Sequence, residues 1–261
     1  MSTGASLYVQ GDSVLHRLAP RAKLALSAAV FVPAYAFGRP LYVGAALAAA
    51  VAALAYAGGL HNLRRVWFIV VALFVVGLVV WPGFVDPGGP VVLAAGPLVL
   101  TDVELRFALA RSMRIVTFIV GGLAFVTTTA NEEIVRGLRE LGLPFAFCFA
   151  LGTALRLFPT FLGAAGTVRQ AQEARGLDLS AGNPIERLRR FVPLLVPVFM
   201  TAFRDIETRS MALEARGFDP GGERTFYDAR PLTTRDWAAL SVAAGVAVAS
   251  VALSTLGYGV F

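Results

Sequence analysis

The chain has 261 residues, of which 57% are hydrophobic and 15% charged, against roughly 25% charged in an ordinary soluble domain. Uncharged runs at 24–37, 41–57 and 66–81 exclude a soluble enzyme and make a bilayer the solvent. The net charge of +6 comes from 22 arginines and one lysine, and their placement decides between nucleic-acid binding and membrane topology. A single cysteine, Cys148, excludes a disulfide framework and any cysteine-based zinc or iron–sulfur site.

In chain order, His16, Arg17, Arg21 and Lys23 precede the first apolar run with no cleavage-site pattern, so the first span is expected to be retained. A spanning helix needs about 20 apolar residues, and five segments qualify. The first, about 22–38, contains Pro33; Arg21 and Lys23 are expected to snorkel at its start, and Gly38-Arg39-Pro40 turns the chain at its end. The second runs about 41–60. The third, about 66–84, stops at Asp86-Pro87-Gly88-Gly89-Pro90, through which no helix continues. Thr101 and Glu104 have capping-box spacing and open the fourth, which reaches about Thr128. Thr233 and Asp236 form another such pair, and the last span runs from Trp237 to about Tyr258.

Between the fourth and fifth spans lies a block of alternating charged and apolar patches punctuated by proline, 131–235. Asn131 is placed to cap a short helix ending at Gly142-Leu143-Pro144, and Asn183-Pro184 to open a longer one. The stretches 145–162 and 191–203 are apolar enough to resemble spans, but Arg156 with Pro159 and Pro193 with Pro197 interrupt them. They are read as apolar helices against the inner membrane face or a partner. Arginine placement agrees: a cytoplasmic N-terminus puts Arg17, Arg21, Lys23, Arg64, Arg65 and the 14 arginines from Arg136 to Arg235 on the inner side, with Arg39 and Arg106 outside. The expected fold is an all-α, multi-pass integral membrane protein of about five transmembrane helices. Residues 1–130 hold four spans, 131–235 form a cytoplasmic helical coupling domain, and 236–261 hold the last span.

Inside that block, Ala171-Gln172-Glu173-Ala174-Arg175-Gly176-Leu177-Asp178 is echoed by Ala212-Leu213-Glu214-Ala215-Arg216-Gly217-Phe218-Asp219. One Arg-Gly at a helix end is accounted for by the dipole and the left-handed cap. Two copies with the same Ala, Glu, Ala and Asp around each arginine are not, because stopping a helix needs none of them. A fixed guanidinium at each helix end suits a bidentate pair with a carboxylate of another protein.

On these motifs the chain resembles the transmembrane (T) component of energy-coupling-factor (ECF) transporters, prokaryotic ABC-type importers of vitamins and transition-metal ions. The resemblance covers nearly the whole chain. Its most specific feature is the pair Ala174-Arg175-Gly176 and Ala215-Arg216-Gly217, supported by Glu173, Glu214, Asp178 and Asp219. In the family such motifs end two long coupling helices and dock into two ATP-binding-cassette ATPase subunits. The stretch 15–24 is similar to the family's Asp-Pro-Arg-Thr-Lys-Leu segment, with Ala19 and Ala22 where Asp and Thr are usual. Thr127-Thr128-Thr129, Arg156-Leu157-Phe158-Pro159 and Met211-Ala212 add to it.

The resemblance implies a non-catalytic subunit of a prokaryotic cell membrane, N-terminus cytoplasmic, working with those ATPases and a membrane-embedded substrate-binding S component. It implies no cofactor on this chain, with ATP-Mg used by the partners. An ordinary ABC-importer permease is the nearest alternative, but such chains have one coupling loop. An integral-membrane phosphotransferase needs clustered acids for divalent cations, whereas Asp178 and Asp219 stand singly and His16 and His61 are isolated. No metal site is expected. Arg111 and Arg114 read as structural arginines near a helix end, pairing with Asp102 or Glu104. Arg187, Arg189 and Arg190 adjoin an apolar stretch and read as a lipid contact, not a nucleic-acid site.

Overall fold

The computed structural model describes residues 8–9, 11, 13–84, 89–95, 98–177, 183–219, 221–222, 225 and 231–259, with the side chains of 92–95, 98–100 and 184–190 left aside. The helices are α1 (Val14–Arg17), α2 (Pro20–Ala36), α3 (Pro40–Tyr56), α4 (Leu60–Val80), α5 (Asp102–Thr128), α6 (Asn131–Glu140), α7 (Phe145–Ala174), α8 (Pro184–Ala215) and α9 (Thr234–Thr255). A 3-10 turn, Trp81–Phe84, extends α4. An antiparallel hairpin of β1 (Val91–Ala95) and β2 (Leu98–Thr101) precedes α5, with a register irregularity between Val91 and Leu93. The protein is an all-α membrane protein with this one small hairpin among the described residues.

Prolines open α2, α3 and α8, where a missing N–H costs nothing and the fixed φ favours the first turn. Both expected capping boxes form. Glu104 accepts from the Thr101 amide at 2.7 Å, and Asp236 accepts from the Thr233 amide at 2.8 Å. At α6 the expectation shifts by one residue: Ala130 is the N-cap and Asn131 the first helical residue. There Glu133 accepts from the Ala130 amide at 3.3 Å.

Among the described residues four helices are long and apolar enough to cross a membrane: Leu60–Phe84, Asp102–Thr128, Phe145–Ala174 and Thr234–Thr255. α3 is a shorter apolar helix. The inclusion of α7 departs from the sequence reading, because Pro159 sits inside an unbroken helix and does not interrupt it. Pro193 and Pro197 likewise sit within a continuous α8.

The chain forms two compact units, one of Met1–Leu141 with Ala229–Phe261 and the other of Gly142–Asp228. The short helix α6 thus belongs with the spans, where Gly137 lets it approach Pro20 of α2; a Cβ there would stand 2.9 Å from the Pro20 ring. In the first unit, Ala50 and Leu54 of α3 pack with Val116, Val120 and Leu123 of α5. α4 exposes Trp67, Phe68 and Val79, as a lipid-facing helix does.

That unit has two distinct ends. At the proximal end lie the starts of α2, α4 and α9 and the end of α5: the Ala19 amide donates to Asp236 at 2.7 Å, and Asn62 to the Thr127 hydroxyl at 3.1 Å. At the distal end, Gly38 and Arg39 amides donate to the Gly259 carbonyl at 2.7 and 3.0 Å. Arg114 reaches there from α5, donating to the carbonyls of Ala34 and Phe37 at 2.7 and 2.8 Å, and Ser254 donates to that of Ala36 at 3.0 Å. The carbonyls at the α2 C-terminus, which have no helical partner, are satisfied by two other helices.

Candidate functional site: two arginine-bearing helix ends

The two Ala-Arg-Gly motifs end α7 and α8 in the same way. Gly176 has φ +88° and Gly217 φ +68°, a left-handed conformation that favours glycine. The Leu177 amide donates back to the Gln172 carbonyl at 3.0 Å and the Gly176 amide to that of Glu173 at 2.9 Å. The Phe218 amide donates to Leu213 at 3.0 Å and that of Gly217 to Glu214 at 2.9 Å. Each end is a Schellman cap, in which the backbone alone satisfies the last carbonyls.

The arginine side chains are therefore not needed for capping. Arg175 and Arg216 are exposed, and among the described residues neither guanidinium has a hydrogen bond or ion pair within the chain. Glu173 is held by Arg169, one turn earlier, at 2.7 Å. Glu214 is exposed. Asp219 accepts from the Gly221 amide at 2.9 Å, a local turn. Asp178 lies outside the described residues, as do Asp86 and the C-terminal Phe261.

α7 and α8 pack together within the second unit. Gln172, near the end of α7, donates to the Pro193 carbonyl of α8 at 3.5 Å, while the Phe218 ring lies against Phe149 and Phe145 at the start of α7, with centroids 4.9 and 6.4 Å apart. The two helices run antiparallel, so Arg175 and Arg216 sit at opposite ends of the pair. At a rise of about 1.5 Å per residue, the stretch between Phe149 and Gln172 spans about 35 Å. Phe149, Phe158, Phe199 and Phe203 stay exposed on these helices. Among the described residues, no three His, Cys, Asp or Glu side chains gather where a metal ion would sit.

A second constellation, at the proximal end, joins residues far apart in the sequence. Lys23 does not snorkel to an interface: it is 4% exposed, and its ammonium donates to the Thr128 carbonyl at 2.8 Å and to Glu133 at 2.6 Å. Arg21 pairs with Glu140 at 2.9 Å. The start of α2 is thereby bonded to the end of α5 and to α6. Asp102 is taken by Arg106 at 2.8 Å and Glu104 by Thr101, so Arg111 and Arg114 have other neighbours than the two acids expected. His16 is buried, its Nε2 donating to the Val9 carbonyl at 2.9 Å and its Nδ1 lying 2.7 Å from the Ser13 hydroxyl.

Comparison with known proteins finds similarity over most of the chain. The family model CbiQ, cobalt transport protein, matches residues 11–227. The energy-coupling factor transporter transmembrane protein EcfT of Thermosediminibacter oceani is 31% identical over 94% of this chain and 95% of its own. That of Limosilactobacillus fermentum is 33% identical, covering 92% and 93%. A protein of Bifidobacterium longum named as an ABC transporter ATP-binding protein is 31% identical over 86% of this chain, which matches 30% of that longer protein.

Proposed function

This chain belongs to the cobalt transport protein family CbiQ, and on that footing we propose that it transmits ATP-driven motion of two ATPase subunits to a substrate-binding membrane subunit. It is an energy-coupling transmembrane component of an ECF transporter, embedded in the membrane by several helices. In the proposed assembly Arg175 and Arg216 each seat in one ATPase, ATP-Mg is bound and hydrolysed by those partners, and this chain holds no cofactor. The exposed apolar faces of α7 and α8 lie against the substrate-binding S component. The cargo is a vitamin or a transition-metal ion, chosen by that component.

The observation that carries this reading is the repeated helix end: two Schellman caps of the same pattern, each leaving an exposed arginine with no partner among the described residues. The Bifidobacterium relative supports ATPase partnership, because a sequence similar to this one forms part of a longer chain named for ATP binding. A cytoplasmic location for the proximal end of the membrane unit is supported by arginine placement, with Arg17, Arg21, Arg64, Arg65, Arg136, Arg139 and Arg235 there against Arg39 and Arg106 distally.

The test uses Arg175→Glu, Arg216→Glu and the double variant, checked for normal membrane levels, with ATPase co-purification and substrate uptake as readouts. If the arginines merely complement helix dipoles, Arg→Lys is neutral within about 0.3–1 kcal/mol. Docking predicts a loss on Arg→Lys, because lysine lacks the planar bidentate fork, and a larger one on Arg→Glu, since removing one partner of a buried pair costs about 3–5 kcal/mol. Wild-type assembly and uptake by the double variant would refute it.

A further inference from the structure

Arg111 lies in the candidate membrane-spanning helix α5, and among the described residues its charge has no acceptor. It is half-buried on α5, about 13 Å along the helix from Asp102 at 1.5 Å per residue. Its guanidinium carbon sits 4.9 Å from the Phe107 ring centroid and 5.7 Å from that of Trp81. Among the described residues none of its five N–H donors has a hydrogen-bond acceptor, and no carboxylate pairs with it. The two acids nearest in sequence are engaged elsewhere, Asp102 with Arg106 and Glu104 with Thr101. Its neighbour Arg114 is satisfied by two carbonyls, so the contrast is specific to Arg111.

An ionised guanidinium at the edge of the bilayer favours an anionic headgroup partner, because a charge left unpaired toward the hydrocarbon is costly. Its level in the membrane is marked by the aromatic side chains around it. Trp81 at the end of α4, Tyr35 near the end of α2 and Tyr42 near the start of α3 all lie at the distal end, and Trp and Tyr settle at headgroup depth. We infer that Arg111, steadied over the Trp81 and Phe107 rings, binds the phosphate of a phospholipid of the distal leaflet. Two parallel N–H donors match two phosphate oxygens, cation–π contact with the rings holds the fork toward the headgroup without consuming its donors, and the exposed apolar surface of α4 receives the acyl chains.

The test is native mass spectrometry of the full-length chain in detergent, titrated with phosphatidylglycerol, with diacylglycerol as the phosphate-free control and millimolar inorganic phosphate as competitor. The wild type binds phosphatidylglycerol, not diacylglycerol, and inorganic phosphate does not displace it. Arg111→Gln weakens one lipid site about tenfold or more, the scale of a lost charge-assisted pair. Arg106→Gln, whose arginine already has Asp102, leaves that site unchanged. Asp86→Asn also leaves it unchanged and serves as the control for an intramolecular partner.

Should Arg111→Gln fail to fold, a chain keeping Trp81 as its one tryptophan reports the site directly. Bromine-labelled phosphatidylglycerol quenches it more than bromine-labelled diacylglycerol. Equal quenching, unchanged lipid binding by Arg111→Gln, equal losses in Arg111→Gln and Asp86→Asn, or displacement by inorganic phosphate would each overturn the assignment.

Discussion

Phe218, the residue that follows the second motif, packs its ring against Phe149 of α7 with centroids 4.9 Å apart, whereas Leu177, in the same place after the first motif, has no ring to offer. The two helix ends share a backbone, yet the second is also anchored to the start of its partner helix. A fixed arginine loses less freedom on docking than a loose one, so the two motifs are not equivalent.

Phe218→Ala is therefore expected to weaken ATPase co-purification through the Arg216 end while sparing the Arg175 end. The stability cost is modest, about 1–2 kcal/mol, because Phe149 is itself partly exposed. Combining Phe218→Ala with Arg216→Glu should add little to Arg216→Glu alone, while combining it with Arg175→Glu should add its full effect. Co-purification yields from the three single and two double variants check this, and additivity in both pairs would refute it.

Lys23→Met is expected to destabilise the membrane unit by about 3 kcal/mol, the low end for breaking a buried pair, because Glu133 keeps 28% of its side chain in contact with solvent. Glu133→Gln should cost less, since the Thr128 carbonyl still accepts from the ammonium. Thermal unfolding in detergent reads the order. A Lys23→Met protein as stable as wild type would show that the ammonium is not held at the junction.

Ala19 is the N-cap of α2 and offers no side-chain acceptor. Ala19→Ser should stabilise the helix start by about 1 kcal/mol. Ala19→Asp should not reach the same gain, although aspartate caps equally well, because Asp236 already places a carboxylate oxygen 2.7 Å from the Ala19 amide and like charges repel there. Replacing Asp236 by Asn in the Ala19→Asp chain should restore part of the benefit. Melting temperatures of the single and double variants decide it.

Gly77 of α4 faces Ser112 of α5 so closely that a Cβ would collide with the serine hydroxyl and stand 3.2 Å from its Cβ. Such small-residue contacts let membrane helices approach. Gly77→Val is expected to cost about 1–3 kcal/mol through overpacking, and Gly77→Ala less. Ser112→Gly should rescue Gly77→Ala, a coupling that a double-variant cycle measures. Full additivity would mean that the two helices do not touch there.

The features legible in the sequence are those determined within a few residues. Thr101 with Glu104 and Thr233 with Asp236 announce two helix starts because a capping box is a local hydrogen-bond exchange, and Gly176 and Gly217 announce two helix ends because a left-handed cap favours glycine. The family resemblance of the Ala-Arg-Gly pair was legible for the same reason. Lys23 is not legible in this way, because its partners Thr128 and Glu133 are far away in the chain and a lysine before an apolar run reads as an interfacial one. Pro159 reads in the sequence as an interruption, yet α7 continues through it, as apolar helices do when neighbouring groups accommodate the missing donor. The β1–β2 hairpin is less legible, because 91–100 reads as an apolar segment too short to span and its two halves, on either side of Gly96-Pro97, are only five and four residues long.

The antiparallel packing of α7 and α8 makes the pair behave as a balance beam. Turning the two helices as one body about their midpoint carries Arg175 and Arg216 in opposite directions. Drawing the two ends toward each other instead loads both helices along their axes, against the backbone hydrogen bonds of every turn. A symmetric squeeze is thus resisted, whereas a rotation is not. The Phe218 contact ties the Arg216 end to the start of α7, so that arm of the beam is the stiffer one.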